Sequence, residues 1–301
     1  LKGSIYLKLV SKSAQLGYAT EERKATCIQL DPECITRANG ETNMEWDSLY
    51  IEKTDNVAFL TLDRSASLNA VNDQLIADLD EACQTLCADG ELQVVVLKGE
   101  GRAFCAGMDL KAATQRPSTN EAIHATWAPW QRALDMLEQL NALTIASIHG
   151  ACLGAGCELV LACDFRIAAN TAFFSLPQVL YGSPPDTSQS YRLAQLIGLA
   201  KAKEILILGE RFDASQAEHW GLLTKVVEPK NLKEETQQLI ERCLKVGGKA
   251  AVVAKHLLHR SGTLEQEAWP AEISRARSAA LEEKDFAEAM RIYREERKPQ
   301  I

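Results

Sequence analysis

The chain has 301 residues, 46% of them hydrophobic and 25% charged, with a formal net charge of −8. That length and apolar content suit one large or two small folded units with a substantial core, and they argue against disorder. An acidic balance with no long basic run removes the electrostatic case for binding nucleic acid, and no apolar run reaches the roughly 20 residues that span a bilayer.

Nine cysteines occur with no C-x-x-C spacing, so neither a metal site nor a disulfide framework is indicated. Cys105, Cys152, Cys157 and Cys163 fall in or beside apolar segments, the usage of buried free thiols in a reducing, cytoplasmic compartment. The chain opens on Leu1 without a secretory signal, as a trimmed or partial chain would.

Residues 1–45 read as an extension. A loosely alternating stretch at 5–10 suggests a strand, but the remainder is polar and mixed, and an arm, a linker and partial disorder all stay open. The core opens with short strands at 49–52 and 57–62 around the turn Thr54-Asp55-Asn56. Asn72 is suited to cap a helix whose Leu75, Leu79, Cys83 and Leu86 share one face. Val94-Val95-Val96-Leu97 then reads as a buried strand, and the intervening crossover is long enough to make it parallel to the preceding one.

Gly101 to Leu110 forms a first turn rich in small residues, and 111–120, polar with Pro117, reads as a loop. Helical spacing resumes over 121–140 through Ile123, Trp127, Trp130, Leu134, Met136 and Leu140, with a bend expected at Pro129. His124 on this helix has a catalytic and a structural reading. A strand at 143–148 leads into a second small-residue turn, Gly150 to Gly156, and then a buried helix. Such a turn leaves backbone N–H groups unpartnered at the positive end of a helix dipole. Glu158 lies just inside that apolar helix, where a carboxylate is costly unless used or paired. Two turns of this kind can converge two N–H donors on one oxygen.

Short strands follow at 164–168 and 172–175. From Ser188 onward the pattern is helical, with Gly221 placed to stop the segment beginning at Phe212 and further amphipathic stretches at 232–246, 250–258 and 271–294. Alternating β and α elements give an α/β class, and periodicity alone gives no more than that.

The run Phe104-Cys105-Ala106-Gly107-Met108-Asp109-Leu110, together with His149-Gly150-Ala151-Cys152-Leu153-Gly154-Ala155-Gly156-Cys157-Glu158-Leu159, resembles the enoyl-CoA hydratase/isomerase (crotonase) superfamily from about Trp46 onward. The resemblance implies a crotonase-like superhelix of β-β-α turns over 46–240. It also implies a helical region over 241–301 that completes the fold and makes trimer contacts, within a homotrimer or hexamer. The implied ligand is an acyl-CoA thioester, with no metal or further cofactor. The backbone N–H groups of Met108 and Ala155 would form an oxyanion hole for the thioester enolate. Substrate contacts would come from Ala66 and Leu68 in the segment before Asn69-Ala70, from Ala106, Gly107, Asp109, Leu110 and Gly154 in the two turns, from Trp130, and from Lys298 near the C-terminus.

Hydratases of this superfamily use two glutamates. Glu158 matches one, but Gln178 stands where the second belongs, and an amide neither takes nor gives a proton at neutral pH. Asp186, in a Pro-Asp turn eight residues later, resembles the proton-moving aspartate of family isomerases, and also has a plain reading as a turn residue. The expected activity is double-bond isomerisation of an enoyl-CoA. The alternatives are a hydratase relying on Glu158 alone, decarboxylation or thioester hydrolysis on the same scaffold, and an acyl-CoA-binding protein without turnover.

Overall fold

In the hairpin around Asp55, residues that alternate inward and outward set the pleat. Leu49 and Ile51 of β3 (Leu49–Thr54) are buried and Glu52 is exposed, while Asp55, in the left-handed region at φ 51°, turns the chain into β4 (Val57–Leu62). The computed structural model describes residues 35–38, 41–114, 119–185, 187–246, 248–261, 264–281, 290, 291 and 294. The sheet begins before residue 46. A hairpin of β1 (Ile35–Ala38) and β2 (Glu41–Glu45) adds to the edge of β3, with buried Met44 registered against Ile51. The stretch at 5–10 lies outside the described residues.

The side chain of Asn72 accepts from Leu75 N at 3.0 Å and starts α1 (Asp73–Ala88), which buries Leu75, Leu79, Cys83 and Leu86. The chain returns as β5 (Val94–Gly99), parallel to β4. Residues read above as a loop instead hold a short helix, α2 (Leu110–Thr114). Its start is fixed by Asp109, whose Oδ1 accepts from Lys111 N at 3.1 Å. Helix α3 (Asn120–Glu138) runs through Pro129 without ending there.

The next units repeat one plan. A strand of the main sheet is followed by a short strand in a second layer and then by a helix. Strand β6 (Leu143–Ile148) leads to β7 (Ala151–Leu153) and α4 (Ala155–Leu161). Strand β8 (Phe165–Ala169) leads to β9 (Phe173–Ser175), a single 3₁₀ turn at Gln178–Tyr181, and α5 (Gln189–Ile197). The two earlier units touch the second layer only through single bridges, Val71 with Met108 and Cys105 with Cys152. Helix α6 (Leu199–Leu208), β10 (Phe212–Asp213) and α7 (Ala214–His219) follow, with a capping box between Asp213 and Gln216. Strand β11 (Lys225–Val227) closes the eight-stranded sheet in the order β1-β2-β3-β4-β5-β6-β8-β11, and β10-β9-β7 form the small sheet. This is the α/β superhelix of β-β-α turns expected above. Helices α8 (Leu232–Val246), α9 (Lys249–Arg260) and α10 (Trp269–Leu281) follow. No helix among the described residues is long and apolar enough to cross a membrane.

Strand β5 is buried on both faces. Val95 and Leu97 join the main core under α1 and α3, while Val94 and Val96 pack with Leu239, Ile240 and Cys243 of α8. Helix α9 is pinned to the sheet by a buried ion pair. Lys255 Nζ lies 2.9 Å from Asp164 Oδ2 and donates to Ala142 O at 2.9 Å, and the same carboxylate oxygen accepts from Thr144 N and Oγ1. Removing one partner of such a pair strands the other charge out of water. Lys255→Met is therefore expected to lower unfolding stability by about 3 kcal/mol, read from the urea midpoint. An unchanged midpoint would mean that α9 is held by its apolar face alone.

Candidate active site

The two small-residue turns meet at the ends of β5 and β6. Phe104 N donates to His149 O at 2.8 Å, Cys105 N to Ala151 O at 3.0 Å and Leu153 N to Cys105 O at 2.9 Å. This approach leaves no room for side chains. A Cβ on Gly107, at φ 89°, would stand 2.8 Å from Leu153 O, and one on Gly156 would stand 2.6 Å from Cys105 O. Met108 directly follows Gly107, and Ala155 directly precedes Gly156. Val71 N bonds Gly107 O and Val71 O accepts from Asp109 N, so the peptide groups of Met108 itself face away from Val71. Ala155 is the first residue of α4, where an N–H has no acceptor within the helix.

The loop before α1 braces the first turn. Leu68 and Asn69 both adopt φ 56°, and the fully buried Asn69 side chain donates to Ala103 O at 2.9 Å and reaches Glu100 O and Phe104 O. Ala106 N donates to Leu68 O at 2.9 Å. Arg64 hydrogen-bonds Ala70 O and pairs with Asp109 at 3.5 Å, so Asp109 serves this brace and the start of α2 together. Ala66 and Leu110 are exposed beside the turn, while Ala106, Met108 and Gly154 are partly exposed. Cys105 Sγ donates to Asn69 O and Cys157 Sγ to Cys152 O, and these thiols are free and buried. Burial pushes the Cys105 and Cys163 thiols up to about 12.

Glu158 sits one turn into α4 and is 3% exposed. Its Oε2 accepts from the indole Nε1 of Trp130 at 2.8 Å, and its Oε1 accepts from Gln178 Nε2 at 2.9 Å. Trp130 is fully buried, so it meets this site through its N–H rather than by lining an open wall. Gln178 Nε2 also donates to Gln189 Oε1 at 3.1 Å, and Gln178 Oε1 and Gln189 Nε2 are buried without a hydrogen-bond partner among the described residues. Gln131, next to Trp130, accepts from Ser188 N and donates to Ser188 Oγ. A closed ring results. Adjacent residues of α3 hold Glu158 on one side and, through Ser188, Gln189 and Gln178, hold it again on the other.

Arg192 of α5 donates to both Glu138 oxygens at 3.0 Å and to Asp135 at 2.8 Å, and Arg132 forms a bidentate pair with Asp80 of α1, so α3 is anchored from two directions. The sequence reading had no part for Gln131, Gln189 or the Asn69 side chain. Only Leu68-Asn69 carried a local signal, since asparagine tolerates the left-handed region. Asp186 and Lys298 lie outside the described residues, as does the side chain of His124. A cavity of about 640 Å³ between Leu86, Gln93, Leu140 and Val252 opens at the opposite ends of the parallel strands and shares no residue with this cluster.

A family model described as Enoyl-CoA hydratase/isomerase matches residues 52–301. A crotonyl-CoA hydratase of Syntrophomonas wolfei is 32% identical over 213 residues, covering 70% of this chain and 81% of that protein. The peroxisomal Delta(3,5)-Delta(2,4)-dienoyl-CoA isomerase of Arabidopsis thaliana is 31% identical, covering 83% and 94%. Among solved structures, an enoyl-CoA hydratase from Bacillus anthracis superposes with a TM-score of 0.78 at 29% identity, covering 84% of this chain and 98% of that one.

The buried thiols of Cys105 and Cys163 generate a prediction in which the sign follows from burial. Each holds its proton in the folded chain at a pH where the unfolded chain, titrating near 9, has released it. The folded state then binds more protons, so this contribution is intact below pH 9 and is lost as pH rises toward 12. Urea midpoints are expected to fall steadily above pH 9. Alkylation of the native protein at pH 8, followed by peptide mass mapping, should mark the exposed Cys87 and spare Cys105, Cys152 and Cys157. Rapid labelling of Cys105 would contradict the packing described.

Proposed function

The chain belongs to the enoyl-CoA hydratase/isomerase family, and from that premise we propose that it moves the double bond of an enoyl-CoA thioester. The observation that carries this reading is Gln178, whose amide donates to Glu158 at the place where family hydratases have a second glutamate. Hydration needs one group to activate water and another to deliver a proton, and a carboxamide does neither at neutral pH. Isomerisation needs only that a proton leave one carbon and return to another.

In the proposed reaction the thioester oxygen lies between the N–H groups of Met108 and Ala155. Glu158, as carboxylate, takes a proton from Cα of a 3-enoyl thioester, and the electron pair spreads through the enolate to that oxygen. Removing a single donor of this kind from an enzyme costs about 10²–10³ in turnover. Asp186, assigned from the sequence match and starting as the neutral acid, delivers its proton to Cγ, giving the 2-enoyl thioester, and proton exchange of both carboxyls with solvent restores their starting forms. The reaction is redox-neutral and calls for no cofactor beyond the CoA of its substrate. Assembly into homotrimers or hexamers belongs to the same proposal, and the exposed Leu199, Ile207 and Leu208 on α6 support a buried subunit face there.

One observation favours a second reading, a hydratase using Glu158 alone. The buried Gln178 Oε1 is an acceptor beside Glu158 suited to orient a water. Proton NMR of 2-enoyl- and 3-enoyl-CoA esters in heavy water separates the two. Isomerisation is expected to give a shifted double bond with deuterium incorporated, abolished in Glu158→Gln and lowered at least 10²-fold in Asp186→Asn. A 3-hydroxyacyl product that needs Glu158 and ignores Asp186 would install the hydratase reading. Tight binding of both esters without turnover would identify an acyl-CoA-binding protein.

A further inference from the structure

The ring around Glu158 assigns a part to a residue that touches no reacting atom. Both carboxylate oxygens receive neutral N–H donors from opposite sides, Trp130 Nε1 on Oε2 at 2.8 Å and Gln178 Nε2 on Oε1 at 2.9 Å. A donor aimed at a carboxylate favours its ionised form, because the protonated acid has less negative charge to offer that donor. Two donors on two oxygens also fix the rotation of the carboxylate plane, so the remaining lone pairs point in set directions. The indole cannot drift. Trp130 is fully buried, and the part of α3 that follows it is tied to two other helices, by Arg132 to Asp80 and by Asp135 and Glu138 to Arg192.

We propose that Trp130 is a positioning residue that keeps Glu158 ionised and in a single orientation, ready to take a proton from the substrate. The inference rests on the reading of Glu158 as the base. Among titratable groups, the Cys105 thiol on the first turn lies close enough to feel the charge of Glu158, and it feels Cys157 and Arg64 as well. Burial holds the Cys105 thiol in its neutral form at neutral pH.

The test replaces the donor while keeping the shape. Trp130→Phe, and an indole isostere carrying sulfur in place of the N–H installed at position 130, are compared with the wild type in the pH profile of kcat/KM for enoyl-CoA turnover. Loss of one donor is expected to move the acid limb upward by about one pH unit. Activity below the limb then falls about tenfold and the high-pH plateau changes less. Thermal melting and CoA-ester binding report folding separately, and the isostere keeps the test valid where the phenylalanine variant is unstable. An acid limb that stays put in a folded isostere variant with unchanged plateau overturns the proposal, and so does a uniform loss of activity at every pH. Glu158→Gln separates this failure from a wider one. If that variant keeps full turnover, the base has been misassigned; if it is dead while the isostere leaves the limb unmoved, only the role of Trp130 falls.

Discussion

A carboxylate buried to 3% exposure stays in a folded protein only if its oxygens are supplied with hydrogen bonds. Glu158 imposes that condition, and much of the surrounding structure can be read as its fulfilment. One oxygen is met by an indole from α3 and the other by an amide from the segment after β9. Neither donor is local to α4. Each has to be brought in by packing, and the packing has to be stiff. The ion pairs of Arg132 with Asp80 and Arg192 with Glu138 and Asp135 supply that stiffness, because each ties α3 to another helix within a turn or two of Trp130.

The second constraint is backbone meeting backbone. Where Gly107 faces Leu153 and Gly156 faces Cys105, any Cβ would collide with a carbonyl oxygen. The small residues of both turns follow from this approach, which brings Gly107 against Leu153 and Gly154. The thiols below are consistent with it. Cys105 and Cys157 fill space next to the glycines and donate to nearby carbonyls, with burial pushing Cys105 up to about 12. They belong to the packing and not to the chemistry.

The superhelical plan joins these two constraints. Each unit passes from the main sheet through a second layer before its helix, so consecutive units deliver their turns to the same end of the sheet. The opposite end is closed differently. There Lys255 of α9 reaches under β6 to Asp164, and Arg166 spends its guanidinium on the carbonyls of Leu222, Val160, Cys163 and Asp164. Those are structural uses of buried cations, with every contact directed at a fixed backbone or carboxylate oxygen. Burial lowers the pKa of that arginine, and the carbonyls around it offset the lost water.

What the sequence determined by itself was local. Short apolar runs beside a turn marked β3 and β4, the run Val94 to Leu97 marked β5, three-four spacing and Asn72 marked α1, and the two glycine-rich turns with Glu158 marked the family. Those features depend on neighbours a few residues apart, so a linear reading recovers them. Short pieces without such a signal were missed, as in α2, whose start depends on the Asp109 side chain, and β7, which exists because β9 lies beside it. The contact of Trp130 with Glu158 was also invisible, because its indole meets a carboxylate 28 residues away. The same holds for the Asn69 Nδ2, whose acceptors are more than 30 residues distant, and for the route from Gln131 through Ser188 to Gln178. Long-range hydrogen bonds leave no periodicity in a chain, and only the tertiary structure brings their two ends together.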